Sequence, residues 1–224
     1  MTPPSPPGSA AESPVPVPGP GAARPAGPGV PLSVWPGLPA PGCASSGQPC
    51  GGPVTAAAAA RVIESFSRPG DLVIPIDGSP AVTGAAAAAG RAVLRLAPGI
   101  GPAQLLAPGD PDAGTADLVI TGGHGPGCCP GTEPDDGGLL YAACERVLRP
   151  GGVLAVITAS PGPGGEAGDM AGAIVAAARA AGLAYAQHIV LVHAAIDGDR
   201  LAPAGPGGLP GGRVHSDLLV FSRP

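Results

Sequence analysis

The sequence contains no lysine and no asparagine, and all eleven of its basic residues are arginine. Aromatic residues are 2% of its 224 positions and the net charge is −5, with no basic cluster in view. Nucleic-acid binding draws much of its affinity from neutralising phosphates, and single-strand binding adds stacking on aromatic rings. Both resources are scarce here, which disfavours direct contact with DNA or RNA. No stretch approaches ~18–20 apolar residues free of Gly, Pro or charge, so no membrane-spanning helix is expected. The opening MTPPSPPGSAAESP has neither a basic nor an apolar leader region and does not read as a secretory signal. A cytoplasmic location with reduced thiols is the expectation. The five cysteines, at 43, 50, 128, 129 and 144, are odd in number and form no CxxC pair. They match neither a disulfide framework nor a zinc spacing, and no metal is expected.

Glycine (39) and proline (33) are abundant, without the three-residue period that collagen requires. The bias toward Ala, Gly, Pro and Arg is that of GC-rich coding, so alanine runs carry little weight as helix signals. Residues 1–53 are Pro, Gly, Ala and Ser with little else. Proline lacks a donor and glycine is entropically costly to order, so the segment reads as a disordered or polyproline tail. Trp35, the lone tryptophan, is either a chance aromatic or an anchor onto the domain. Spaced prolines at 14, 16, 18 and 20 suit a partner that binds extended proline-rich chain.

From residue 54 to 224 the pattern is that of one α/β domain. TAAAAARVIESFS (55–67) predicts a helix with Val62, Ile63 and Phe66 on one face, stopped by Arg68-Pro69-Gly70. DLVIPI (71–76) suits a strand buried on both faces. A helix over 81–90 and a strand at RAVLRL (91–96) follow. Residues 97–116 read as a loop, and ADLVIT (116–121) as a third strand. GGLLYAACERVLRPGG (137–152) carries an apolar helical stripe of Leu139, Leu140, Ala143, Cys144, Val147 and Leu148. Arg149-Pro150-Gly151-Gly152 reads as a sharp stop before the strand VLAVITA (153–159). A helix is predicted over 166–182 and a long strand over 183–196. DGDR (197–200) is a turn, and HSDLLVFSR (215–223) the closing strand. Alternating strands and helices imply a parallel sheet. The last two strands have no helix between them and are expected to be antiparallel neighbours.

Several of these segments resemble the amino-DNA methyltransferases, which methylate N4 of cytosine or N6 of adenine, within the class I S-adenosylmethionine-dependent superfamily. RVIESFSRPGDLVI (61–74) is similar to the helix, turn and strand that precede the cofactor loop. GRAVLRL (90–96) is similar to the second strand, and ADLVITGG (116–123) to the strand entering the catalytic loop. CERVLRPGGVLAVIT (144–158) resembles the helix, Pro-Gly-Gly turn and strand found across the superfamily. The resemblance implies a Rossmann-like fold, a mainly parallel sheet with an antiparallel last strand, and S-adenosylmethionine as cofactor. It places the cofactor against Asp77, Gly78, Ser79 and Thr83, and the reacting centre at Thr121, Gly123 and His124.

The motifs themselves depart from the family pattern. The acidic position ending the first strand is Pro75, and the second glycine of the cofactor turn is Pro80. After the second strand, where an acid would hold the ribose hydroxyls, stand Leu96-Ala97-Pro98. The catalytic loop reads Thr121-Gly122-Gly123-His124-Gly125-Pro126, without the Pro-Pro pair or the aromatic that would stack on a flipped base. The expectation is a methyltransferase-like protein with reduced or no catalytic activity. The alternatives are an active methyltransferase on a small molecule or protein, and a non-enzymatic interaction module using the Pro-rich tail. His188, His193 and Cys144 are expected to be structural.

Overall fold

A computed structural model describes residues 29–38, 54–76, 78–95, 113–123, 136–158, 170–194, 196–197, 200–201 and 215–224. In these, helix α1 (Ala56–Phe66) leads into strand β2 (Leu72–Pro75), helix α2 (Pro80–Ala88) and strand β3 (Ala92–Val93). Strand β4 (Ala116–Gly123), helix α3 (Asp136–Val147) and strand β5 (Leu148–Thr158) follow. Helix α4 (Met170–Ala180), strand β6 (Ala184–Val192), a small hairpin of β7 (Ile196–Asp197) and β8 (Arg200–Leu201), and strand β9 (His215–Ser222) complete the domain. Ahead of all these lies a short strand β1 (Leu32–Trp35).

The main sheet has seven strands in the order β1-β6-β9-β5-β4-β2-β3. Every pairing is parallel except those of β9, which runs antiparallel to β5 on one side and β6 on the other. The antiparallel pairing of the last two long strands agrees with the sequence expectation. Two apolar layers cover the sheet. Val73, Leu118, Ile120, Ala155, Ile157, Leu218 and Val220 face α1 and α2. Ile74, Val119, Leu154, Val156, Leu219 and Phe221 face α3 and α4. Adjacent residues of β2 therefore enter opposite cores, which is why its sequence is continuously apolar.

Two sequence expectations are corrected. The structureless segment drawn through residue 53 contains β1, paired in parallel with β6 from Leu32↔His188 to Trp35↔Leu191. Alternating side chains give this four-residue strand its anchor. Trp35 stacks on Phe66 with ring centroids 6.3 Å apart, and the Arg61 guanidinium lies 4.6 Å from the Trp35 ring. Leu38 is buried, and its N–H donates to Val192 O at 3.1 Å. Residues 1–28 and 39–53 lie outside the described residues.

Helix α3 ends at Val147, ahead of Arg149-Pro150-Gly151-Gly152 as expected, but these four residues sit inside β5 as a bulge, not before the strand. Ala116 pairs with Leu148, yet Leu118 already pairs with Val153. The surplus residues turn outward, with Gly151 at φ +75°. Gly151 N donates to Arg223 O at 2.8 Å and Arg223 N to Gly152 O at 2.9 Å, so the end of β9 closes the bulge. Side chains clamp the same end of the sheet. Asp117 accepts from Leu72 N at 2.8 Å through Oδ2 and from Arg149 Nε through Oδ1. Arg223 Nε pairs with Glu145 at 2.8 Å. The hydrogen bond it donates to Asp117 raises the pKa of the Arg149 guanidinium above its ordinary value.

The bulge tolerates no side chain at Gly152. A Cβ there would lie 2.8 Å from Arg149 O and 2.9 Å from Ala116 O, both backbone atoms that cannot swing away. Gly152→Ala is expected to cost about 1–3 kcal/mol in urea unfolding. Gly84→Ala, in the exposed middle of α2 where a Cβ meets nothing within 4 Å, is expected to stabilise by up to about 1 kcal/mol. Equal effects at the two sites would contradict this picture of the bulge.

Candidate functional site

The carboxyl ends of β2 and β4 form the centre of the site. Pro75 ends β2, buried and paired with Ile120. Proline cannot donate, but the ladder resumes one residue on, where Ile76 N donates to Ile120 O at 3.0 Å. The chain then turns sharply. Gly78 N reaches Pro75 O at 3.3 Å, and Gly78 has φ +61°, the left-handed region that a β-branched residue rarely enters. Ser79 caps α2 by position, but its side chain makes no capping bond. Pro80 follows at the first helical position, where a missing N–H costs nothing. Helix α2 therefore starts at the strand edge without a capping hydrogen bond from the Ser79 side chain, at the end that carries partial positive charge. Thr83, one turn in, is 8% exposed, and its N–H donates to Ser79 O at 3.0 Å.

This turn lies at a topological switch. From β2 the chain passes through α2 to β3 on one side, while β4 lies on the other. Helices α1 and α2 pack on one face of the sheet, and α3 and α4 on the opposite face. Open α/β sheets bind ligands in the crevice at such a point, outside the carboxyl ends of the strands.

Of the residues singled out in the sequence, the structure brings Gly78, Ser79, Thr83, Thr121 and Gly123 to this one edge. Thr121 follows directly on Ile120, the partner of Pro75, and is 2% exposed. Its Oγ1 lies 3.5 Å from Gly122 O, a long contact. Asp77 and His124 lie outside the described residues, as do Cys43, Cys50, Cys128 and Cys129. Cys144 is a buried core residue of α3. Among the described residues, no group of three or more His, Cys, Asp or Glu could hold a metal ion, and no helix is long and apolar enough to cross a membrane.

Sequence reading missed part of the edge. Gly123 of β4 pairs with Thr158 of β5, Thr158 with Asp217 of β9, and Asp217 with Val190 of β6, so these positions form one row across the sheet. Thr158 is 3% exposed, and its hydroxyl lies 3.4 Å from Asp217 O. Asp217 Oδ1 meets His188 Nε2 at 3.0 Å. On the opposite face, His193 Nε2 meets Ser216 Oγ at 2.8 Å. Both histidines thus tie β6 to β9, as a structural role requires. Only the threonine ending the apolar run VLAVIT hinted at this row. The pairing of Asp217 with His188 depends on register.

No family model matches the chain, and no curated protein matches it. Solved structures do. A TehB-like SAM-dependent methyltransferase from Corynebacterium glutamicum is 15% identical, over 76% of this chain and 89% of its own, with a TM-score of 0.48. Geranyl diphosphate C-methyltransferase from Streptomyces coelicolor A3(2), solved with geranyl diphosphate and S-adenosyl-L-homocysteine, is 15% identical over 75% of this chain and 80% of its own, with a TM-score of 0.44.

Tyr185, near the amino end of β6 on the α4 face, feels the charge of Asp217. Burial raises its hydroxyl above the ordinary 10.0, the negative charge of Asp217 raises it further, and Arg179 opposes both. A raised value means that the folded state holds its proton more tightly than the unfolded chain does. The stabilisation is complete below pH 10 and is lost as pH rises through the folded value. In a Tyr141→Phe background, absorbance titration is expected to show Tyr185 ionising above pH 10, and Asp217→Asn to lower its midpoint. An unchanged midpoint would mean that Asp217 exerts no field there.

Strand order sets the fold: six parallel strands, with the antiparallel last strand inserted between β5 and β6, give this chain a Rossmann-like α/β fold.

Proposed function

We propose that this chain is an S-adenosylmethionine-dependent methyltransferase-like protein, related to the DNA N4/N6 methylases, whose methyl transfer is reduced or lost. The β2–α2 turn carries the reading. Its left-handed Gly78 and uncapped helix N-terminus lie at the switch point, where the backbone can approach a ligand closely. The residues that would grip such a ligand are replaced. Pro75 occupies the acidic position at the strand end, buried in the sheet, and Leu96-Ala97-Pro98 stand where a carboxylate would hold the ribose. A hydrogen bond to a charged group contributes about 1.5–3 kcal/mol, so losing two carboxylates weakens a micromolar ligand to roughly the millimolar range.

A second reading, transfer to a small molecule or a protein, is favoured by the polar pair Thr158 and Asp217 near the same edge, with His188 reaching Asp217 from two residues along β6. The net charge of −5 and the scarcity of aromatics favour such an acceptor over DNA.

Isothermal titration with S-adenosylmethionine and with S-adenosylhomocysteine tests the leading reading. The expected result is saturable binding with a Kd of roughly 1 mM, weakened further by Gly78→Val, with no methyl group passed to DNA. Micromolar binding together with robust DNA methylation would contradict the reduced activity. The complete absence of binding would remove the cofactor.

A further inference from the structure

The sheet ends at β1. Among the described residues β1 pairs with β6 alone, so its other edge has no partner strand. The register fixes which backbone groups that edge presents. Leu32 lies opposite His188, and His188 N donates to Pro31 O at 3.0 Å. In a parallel ladder alternate residues of a strand bond to the same neighbour, so Pro31, Ser33 and Trp35 turn their backbone groups toward β6. Leu32 and Val34 turn theirs outward. These two residues are also the exposed apolar ones, Leu32 at 68% and Val34 at 56%. Trp35 stacks on Phe66 of α1, and alternation puts Leu32 and Val34 on the opposite face, side by side. Charged side chains are the usual protection of an open strand edge, and residues 29–38 hold none.

We infer that this edge joins a second copy of the chain, by antiparallel pairing of β1 with β1 about a twofold axis at Ser33. In that register Leu32 of each copy lies opposite Val34 of the other. Both are outward-turned residues, so each such pair exchanges two backbone hydrogen bonds. The two leucines and two valines then meet on one face as cross-strand apolar pairs, covering the side chains that a single copy leaves exposed. Ser33 meets its own copy at the closer, non-hydrogen-bonded position, where a small side chain fits. A twofold contact needs a self-complementary surface, and apolar residues placed evenly on both sides of Ser33 supply one. An unrelated partner would need no such symmetry. Pro36, the next outward position after Val34, has no N–H to donate, which confines the pairing to this stretch. Each copy uses its one β1 edge, so the contact closes at two and joins two seven-stranded sheets into one. A pair of four-residue strands covers less than the ~1,200–2,000 Å² of a standard stable interface, so the dimer is weak and concentration-dependent. The contact lies at the end of the sheet and does not rest on the cofactor reading.

The test is sedimentation equilibrium of the full chain from micromolar to millimolar concentration, with amide hydrogen exchange at both ends of that range. The expected result is a monomer that becomes a dimer as concentration rises. Exchange at Leu32 and Val34 should slow at least tenfold in the dimer, while Ser33 and Trp35, bonded to β6, exchange slowly throughout. Val34→Lys places a charge at an already exposed position and should weaken the dimer at least tenfold. Unchanged emission from Trp35, the lone tryptophan, shows that β1 remains docked on Phe66 in this variant. Leu139→Lys, at the exposed apolar site on α3, should leave association unaltered. If a variant undocks β1, the exchange pattern of the unmodified chain decides. A monomer at millimolar concentration would overturn the inference. So would a dimer that survives Val34→Lys, which would place the interface elsewhere. Slow exchange at Leu32 and Val34 in the dilute monomer would overturn it too, by showing that the same chain already covers the edge.

Discussion

The structure depends on the insertion of β9 between β5 and β6. A buried strand must place every backbone donor and acceptor in a ladder, and β9 does so against both neighbours, from Val153↔Ser222 to Thr158↔Asp217 on one side and from Ala184↔Ser222 to Val192↔His215 on the other. Its side chains complete both cores, Leu218 and Val220 in one and Leu219 and Phe221 in the other. Without it, β5 would present an open edge and β6 with β1 would have no connection to the sheet. Because β9 runs antiparallel, its first residues stand at the carboxyl ends of the parallel strands. This is why Asp217, near the end of the chain, shares a row with Gly123 and Thr158.

The two ends of the sheet do different work. At the amino end, side chains are committed to holding backbone in place: Asp117 to Leu72 and Arg149, and Arg223 to Glu145 and the bulge. The exposed Arg149 contact is screened by water and contributes little by itself. Its value is geometric, since it fixes a bulge whose Gly152 already fills the space between two carbonyl oxygens. At the carboxyl end, β4 and β5 finish in Gly123 and Thr158, and the turn after β2 is closed by the backbone bond from Gly78 N to Pro75 O. Open α/β sheets use the carboxyl ends of their strands to present ligand sites.

Much of this architecture was legible in the sequence because burial on both faces leaves continuous apolar runs. LVI, DLVI and LAVI announce β2, β4 and β5 even against a background rich in Ala, Gly and Pro. The antiparallel closure was legible from the absence of a helix before HSDLLVFSR. Other features were not. Strand β1 is four residues long, and only the alternation in LSVW distinguishes it from its Pro-rich surroundings. Its stability comes from Phe66 and Arg61, contacts that local sequence does not contain. Arg-Pro-Gly-Gly reads as a stop because proline and glycine end helices, yet the same left-handed glycine also makes a bulge. In the site, the glycine turn and the strand-end threonine were legible as motifs. The Asp217–His188 pair was not, because 29 residues separate its members and only register brings them together.

The proposed cofactor contact is the β2–α2 turn, outside the carboxyl ends of β2 and β4. Mapping amide shifts across the labelled protein during titration with S-adenosylhomocysteine tests this most directly. The account predicts the largest shifts at Ile76, Gly78 and Ser79, with a second group at Thr121, Gly122 and Gly123. Shifts centred on any other part of the molecule, or none at saturating ligand, would contradict it.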